Sequence, residues 1–215
     1  MCETVNDPAS IVFIVDDDPS VRHALSRLVR SSGYRAESFE SGRAFLGTAD
    51  LTVCPACLLL DLQLPDVNGL EIQRTLNAAL PIIFITGHGD IGTTVDAMKA
   101  GAADFLPKPV CGTVLLDAIG RALERSVQMG ERRRELASLQ ARVDRLTPRE
   151  REVMALVVTG RLNKQVADDL GIAEKTIKIH RARVMEKMEA ASLADLVRLA
   201  DKLGFGASIA ARPAR

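Results

Sequence analysis

Five short apolar segments, each giving way to a helix-patterned stretch, occupy the first half of the chain. Ile11–Val15 is apolar and mostly β-branched, and it ends at Asp16-Asp17-Asp18. Pro19 suits a first helical turn, with Val21, Leu25, Leu28 and Val29 at helical spacing until Gly33. Arg35–Phe39 predicts a second strand, and Ser41 caps a helix through Leu46. Cys57–Leu60 predicts a third strand ending at Asp61; Pro65 and Gly69 bracket a loop, and Leu70–Ala79 reads as helix. Pro81–Ile85 predicts a fourth strand reaching Thr86; the turn Gly87-His88-Gly89-Asp90 leads to a helix with Val95 and Met98, closed by Gly101. Asp104–Pro107 predicts a fifth strand, followed by Lys108-Pro109. Apolar strands alternating with helices must be covered on both faces, so the fold expected is α/β, a doubly wound five-stranded parallel sheet.

In such a sheet, ligands bind in the crevice outside the carboxyl ends of the strands. Asp16, Asp17, Asp61, Thr86 and Lys108 all stand at such ends. Gly87-His88-Gly89 lacks the further glycines and the Lys-Ser/Thr of a phosphate loop, which argues against nucleotide binding. Three clustered carboxylates repel one another, and a hard divalent cation relieves the conflict; an all-oxygen set suits Mg²⁺. One carboxylate can then act as nucleophile toward a phosphoryl donor, while a lysine and a hydroxyl hold the remaining phosphoryl oxygens. Taken singly, each residue is as well read as a turn or cap residue. Their joint placement is what points to chemistry.

Formal net charge over the 215 residues is zero, yet the zero is a cancellation. Residues 1–124 carry 16 acidic and nine basic side chains; residues 125–215 carry 12 acidic and 19 basic. An acidic half followed by a basic half suggests two tasks. Aromatic residues are 3% of the chain, too few for a platform that stacks single-stranded nucleic acid. The four cysteines include a Cys54/Cys57 CxxC, read as inert cytosolic thiols rather than a redox pair. Glu3 and Asp7 without a basic run do not resemble a signal peptide, and no apolar run reaches the ~20 residues of a membrane span. The expectation is a cytoplasmic protein with no membrane partner.

From Val114 to Leu146 no proline occurs, and Leu136, Leu139, Val143 and Leu146 recur with 3-4-3 spacing. Two readings fit: a long helix that pairs with its copy in a dimer, or an amphipathic helix resting on its own domain. Glu131-Arg132-Arg133-Arg134-Glu135 reads as a solvated stretch. Beyond it, Thr147, Pro148 and Glu150 form an N-cap, a first-turn proline and a capping box. Asn163–Leu170, the Gly171 turn and a longer basic helix over Ala173–Met188 have the helix-turn-helix pattern, with a last helix over Ser192–Leu203. Such a helix fits the major groove of double-stranded DNA; a basic helix in a protein-interaction module is the alternative. His180 reads as a packing residue rather than a base contact.

Residues 9–124 resemble the receiver domain of bacterial two-component response regulators. The resemblance rests on Val15-Asp16-Asp17-Asp18-Pro19, Leu60-Asp61-Leu62-Gln63-Leu64-Pro65 with Gly69, Ile85-Thr86-Gly87-His88-Gly89-Asp90, and Met98–Ala102 leading to Phe105-Leu106-Pro107-Lys108-Pro109. It implies a flavodoxin-like strand order 2-1-3-4-5 with Asp61 as phosphoacceptor. It also implies Mg²⁺ held by Asp16, Asp17, Asp61 and the Gln63 backbone carbonyl. Thr86 and Lys108 would contact the phosphoryl group, Gly87 would leave room for the donor, Phe105 would be the aromatic switch, and the bond before Pro109 would be cis. Gly92 stands where relatives of the nitrogen-fixation type usually have Pro, and Val110 where they have Phe.

Residues 146–204 are similar to the four-helix LuxR-type DNA-binding domain, through Leu146–Val153, Asn163–Ala167, Leu170–Ala173 and Lys175–Met185. That similarity assigns Lys178, Ile179 and Ala182 to bases, and Lys164, Lys175, Thr176, Arg181 and Lys187 to phosphates. Ala182 stands where nitrate-type relatives have Lys, so that base contact would be apolar, against a thymine methyl. The two matches identify the FixJ/NarL type of response regulator: domains at 9–124 and 146–204, a helical linker over 125–145 and a disordered tail over 205–215. The implied function is phosphorylation-activated transcription, not turnover catalysis. The implied partners are a sensor histidine kinase, promoter DNA, RNA polymerase and a second copy on phosphorylation. A rival reading keeps the first domain as a protein-binding module with constitutive DNA binding.

Overall fold

The computed structural model describes residues 10–87 and 91–205. The expected turn at 88–90 and the tail from residue 206 lie outside the described residues. The chain divides into two units, Met1–Glu131 and Arg132–Arg215.

In the first unit, five strands form one parallel sheet: β1 (Ile11–Val15), β2 (Arg35–Phe39), β3 (Ala56–Asp61), β4 (Ile82–Thr86) and β5 (Asp104–Pro107), in the order β2-β1-β3-β4-β5. Four helices, α1 (Pro19–Ser31), α2 (Gly42–Thr48), α3 (Gly69–Leu76) and α4 (Ile91–Lys99), connect them, and α5 (Gly112–Asp144) follows. Parallel pairing in register, with Val15 beside Leu60, Asp61 beside Ile85 and Thr86 beside Pro107, brings the strand ends to one edge. Alternate residues feed two cores. Phe13, Leu58, Leu60 and Phe84 pack with Phe45 and Ile72 on one face; Val12, Ile14, Leu59 and Ile83 pack with Val29, Leu115 and Ile119 on the other. Each such buried side chain contributes roughly 1.5–3 kcal/mol.

Asp18 and Ser41 cap α1 and α2 through their side chains. Helix α3 stops at Leu76, earlier than its apolar pattern predicts, because Asn77 and Ala78 take left-handed backbone (φ 43° and 58°). Asn accepts that conformation readily, and Pro81 disfavours helix at the residue before it. The Lys108–Pro109 bond is cis; so is Cys54–Pro55, which nothing in the sequence had marked. Ser126 of α5 is buried, and its hydroxyl accepts the Ala56 N–H at 3.0 Å, fastening the start of β3. Cys57 is buried, which pushes its thiol up to about 12, whereas Cys54 and Cys111 are exposed.

The second unit contains α6 (Pro148–Val157), α7 (Asn163–Leu170), α8 (Glu174–Met188) and α9 (Leu193–Lys202). Val153, Met154, Val157, Val166, Ile177, Val184, Met188 and Leu196 form its core. The Thr147/Glu150 capping box is present, and Gly171 turns between α7 and α8 at φ 64°. Helix α5 passes Gly120 and Gly130 without a break. Of its apolar seam, Leu139 is buried, Val143 and Leu146 belong to the second unit's own core, and Leu136 is half-buried. Of the two readings of the connector, the self-packed one describes these positions. Among the described residues no helix is long and apolar enough to cross a membrane.

Candidate functional site

Three strand ends meet through one ammonium group. Lys108, just past β5, places Nζ 2.6 Å from Asp16 Oδ2 and 2.6 Å from Asp61 Oδ2. Asp16 is 1% exposed and Asp61 8%, so both carboxylates sit within the sheet edge. Their second oxygens accept backbone N–H groups, from Asp18 at 2.9 Å and from Gln63 at 3.0 Å. Asp17 is exposed, and carboxylate oxygens of Asp16, Asp17 and Asp61 lie within 4.8 Å of one another. Thr86 is buried at the end of β4, while Gly87 beside it is exposed, and a Cβ placed there would meet nothing within 4 Å. Phe105 on β5 is half-buried, its ring 6.3 Å from that of Phe84.

The second unit presents a basic helix. On α8, Lys175, Lys178, Ala182 and Arg183 are exposed, Ile179 is 48% exposed despite its apolar side chain, and Thr176 and Arg181 are half-buried. Lys178 pairs along the helix with Glu174 at 3.2 Å, and Arg181 Nη1 donates to Asn163 Oδ1 of α7 at 3.0 Å. Lys164 on α7 is exposed. Lys187 is half-buried. Its Nζ lies 2.6 Å from Oε2 of Glu150, which is 1% exposed. His180 is half-buried, with Nδ1 buried and unpartnered among the described residues.

Two family descriptions match the chain: the response regulator receiver domain over residues 12–120, and the luxR family of bacterial regulatory proteins over 144–200. Nodulation protein W of Bradyrhizobium diazoefficiens is 50% identical over 204 residues, covering 93% of this chain and 88% of that one. The transcriptional regulatory protein FixJ of Rhizobium meliloti is 43% identical over 200 residues, covering 92% and 98%. The solved structure of the response regulator StyR superimposes with a TM-score of 0.72 at 44% identity, over 90% of this chain and 98% of that one. The chain belongs to the FixJ/NarL type of response regulators.

The regulator therefore couples a phospho-aspartate receiver to a DNA-binding helix-turn-helix domain, and its strand-edge cluster is the receiver's acidic site. Burial pushes the Asp16 carboxyl up, and the bonds from Lys108 and Asp18 only partly offset this. Burial pulls the Lys108 ammonium down, but its bonds to Asp16 and Asp61 outweigh that and leave it above the ordinary value. The ammonium thus sits as a fixed cation between the two carboxylates. Three carboxylates with only oxygen donors fit a hard divalent cation and not a soft one. Two residues outside the expected set shape the site. Arg22 Nη1 donates to the backbone carbonyls of Asp16 and Asp17, both at 2.8 Å, and holds the acidic loop against α1. A basic residue one turn into the helix after an acidic loop was the available signal. Gly69 lies against the Asp61 loop so closely that a Cβ would stand 2.9 Å from the Asp61 carbonyl oxygen.

Proposed function

We propose that the regulator accepts a phosphoryl group on Asp61 from a sensor histidine kinase and, as a phosphorylated homodimer, binds promoter DNA and acts on RNA polymerase in the cytoplasm. The proposal divides the chain into a receiver over 9–124, a linker over 125–145 and a DNA-binding domain over 146–204. The observation that carries it is the Lys108 ammonium between Asp16 and Asp61, 2.6 Å from each.

An Asp61 carboxylate oxygen attacks phosphorus as the bond to the donor's imidazole nitrogen breaks, and the departing imidazole takes a proton from solvent. Lys108 moves its ion pair from the Asp61 carboxylate to a phosphoryl oxygen. The Thr86 hydroxyl donates to another, and Gly87 leaves space for the donor. Asp16, Asp17, Asp61 and the Gln63 backbone carbonyl would hold Mg²⁺, which would supply neutralising charge at the site. Withdrawal of Thr86 toward the phosphoryl group opens room that Phe105 enters, and the surface of α4 and β5 becomes the dimer face. In the dimer, two copies of α8 reach successive major grooves, with Lys178, Ile179 and Ala182 on bases and Lys164, Lys175, Thr176 and Arg181 on phosphates.

Asp61→Asn tests the reading. Treated with a small phosphodonor, the native chain should gain one phosphoryl group, dimerise and protect a promoter segment, while the Asp61→Asn variant does none of these. Identical oligomeric state and protection by the two chains would establish constitutive DNA binding instead.

A further inference from the structure

Lys187 belongs to a basic helix, and the resemblance to the LuxR-type domain counts it among the cations that meet phosphates. Its surroundings say otherwise. Nζ is 2.6 Å from Glu150 Oε2, and the lysine side chain is only 28% exposed. The same Oε2 accepts the Thr147 N–H at 2.9 Å, while the Thr147 hydroxyl accepts the Glu150 N–H at 3.3 Å. Glu150 is therefore at once the capping residue of α6 and the counter-ion of the last turn of α8. A carboxylate buried to 1% exposure needs that ammonium, because an unpaired charge there is strongly disfavoured. The adjoining end of α8 is held in a similar way: Arg142 of α5 donates to the Met188 carbonyl at 3.1 Å and pairs with Glu189 at 2.9 Å. Lys175 and Lys178, by contrast, are exposed near the start of the helix, and among the described residues neither has a buried counter-ion.

We infer that Lys187 is a positioning residue, committed to Glu150, which sets the angle at which α8 leaves the body of the domain and so the register of its first turns on DNA. Swinging Lys187 out to a phosphate would strip a buried carboxylate of its cation and free one end of α6. The inference rests on α8 being the DNA-reading helix, and the test keeps the two claims apart.

The readout is the dependence of binding on salt, measured on full-length phosphorylated protein with two duplexes: a site recovered by selection from randomised DNA, and a random sequence. Removing one cation that neutralises a phosphate lowers the slope of log K against log salt by about 0.9. Lys175→Gln should show that drop on both duplexes. Lys187→Gln should keep the native slope on both, bind the random duplex within about two-fold of native, and lose about ten-fold or more on the selected site. Glu150→Gln should behave like Lys187→Gln, Lys187→Arg should restore selected-site binding, and the Glu150→Gln/Lys187→Gln double variant should lose less than the sum of the singles. If Lys187→Gln does not fold while Lys175→Gln does, the structural commitment is supported and the double variant supplies the slope. A slope lower by about 0.9 in a Lys187→Gln chain, with residue 150 as either Glu or Gln, overturns the inference and returns Lys187 to the phosphates. Unchanged slopes in Lys175→Gln and Lys178→Gln would instead overturn the assignment of α8 itself.

Discussion

At the scale of single residues, the carboxylates of the receiver were legible because each ends an apolar strand, and parallel strands in register deliver their ends to one edge. Asp61 and Asp16 lie 47 and 92 residues from Lys108 along the chain, yet strand ends alone placed the three together. Gly69 was legible only as a turn residue. Its second duty comes from Phe84 on another strand, whose ring carbon would stand 3.1 Å from a Cβ at 69, and from Leu62 Cα, also at 3.1 Å. No local pattern announces a clash across a sheet. Overpacking of this kind costs about 1–3 kcal/mol, and here the atoms that must yield include the backbone of the Asp61 loop. Gly69→Ala should lower the denaturant-unfolding free energy by about 2 kcal/mol and slow phosphoryl uptake at Asp61 at least ten-fold. Native uptake kinetics in a destabilised chain would mean that the loop yields without moving Asp61.

At the scale of elements, helices that carry their own caps are legible in the sequence, and the departures come where tertiary partners decide. Thr147-Pro148 with Glu150 announces α6, and Gly171 announces the turn into α8. What the pattern does not reveal is that Glu150 also serves α8, because its partner lies 37 residues away on a basic helix. The shared carboxylate makes the packing of α6 against α8 depend on pH. Burial pushes the Glu150 carboxyl up, but the bonds from Lys187 and Thr147 outweigh it and hold the carboxyl below its ordinary value of 4.5. A depressed carboxyl contributes stability that is fully present above the ordinary value and is lost as pH falls through the folded-state value. In the second unit, the thermal midpoint of the native chain should therefore fall more steeply than that of Glu150→Gln as pH drops below 4.5. The two chains should converge in acid, where Glu150 is protonated in both the folded and unfolded states. Parallel curves over the whole range would show that Glu150 is not ionised against Lys187.

At the scale of the whole molecule, the division of charge into an acidic first half and a basic second half accompanies a division of cores, and its border falls within α5 a few residues before that of the compact units. The charge changes sign at 124/125 and the capping box starts the expected second domain at Leu146, while the second compact unit begins between them, at Arg132. The difference is the last part of α5, whose seam suits a coiled coil and self-packing equally; helical periodicity identifies an apolar face and not the surface it meets. Leu139 and Val143 are 3% and 2% exposed, and a chain starting at 146 lacks both, along with the Arg142 bonds to the end of α8. Burial of two such side chains contributes roughly 1.5–3 kcal/mol each, a large fraction of the ~5 kcal/mol available to a small domain. A fragment spanning 132–215 should unfold cooperatively in urea and bind DNA without a phosphodonor. The fragment 146–215 should be less stable by about 3 kcal/mol, with Met188 and the end of α8 losing amide-exchange protection first. Equal stability of the two fragments would show that α5 lies beside the second core without completing it, and would restore the coiled-coil reading of its seam.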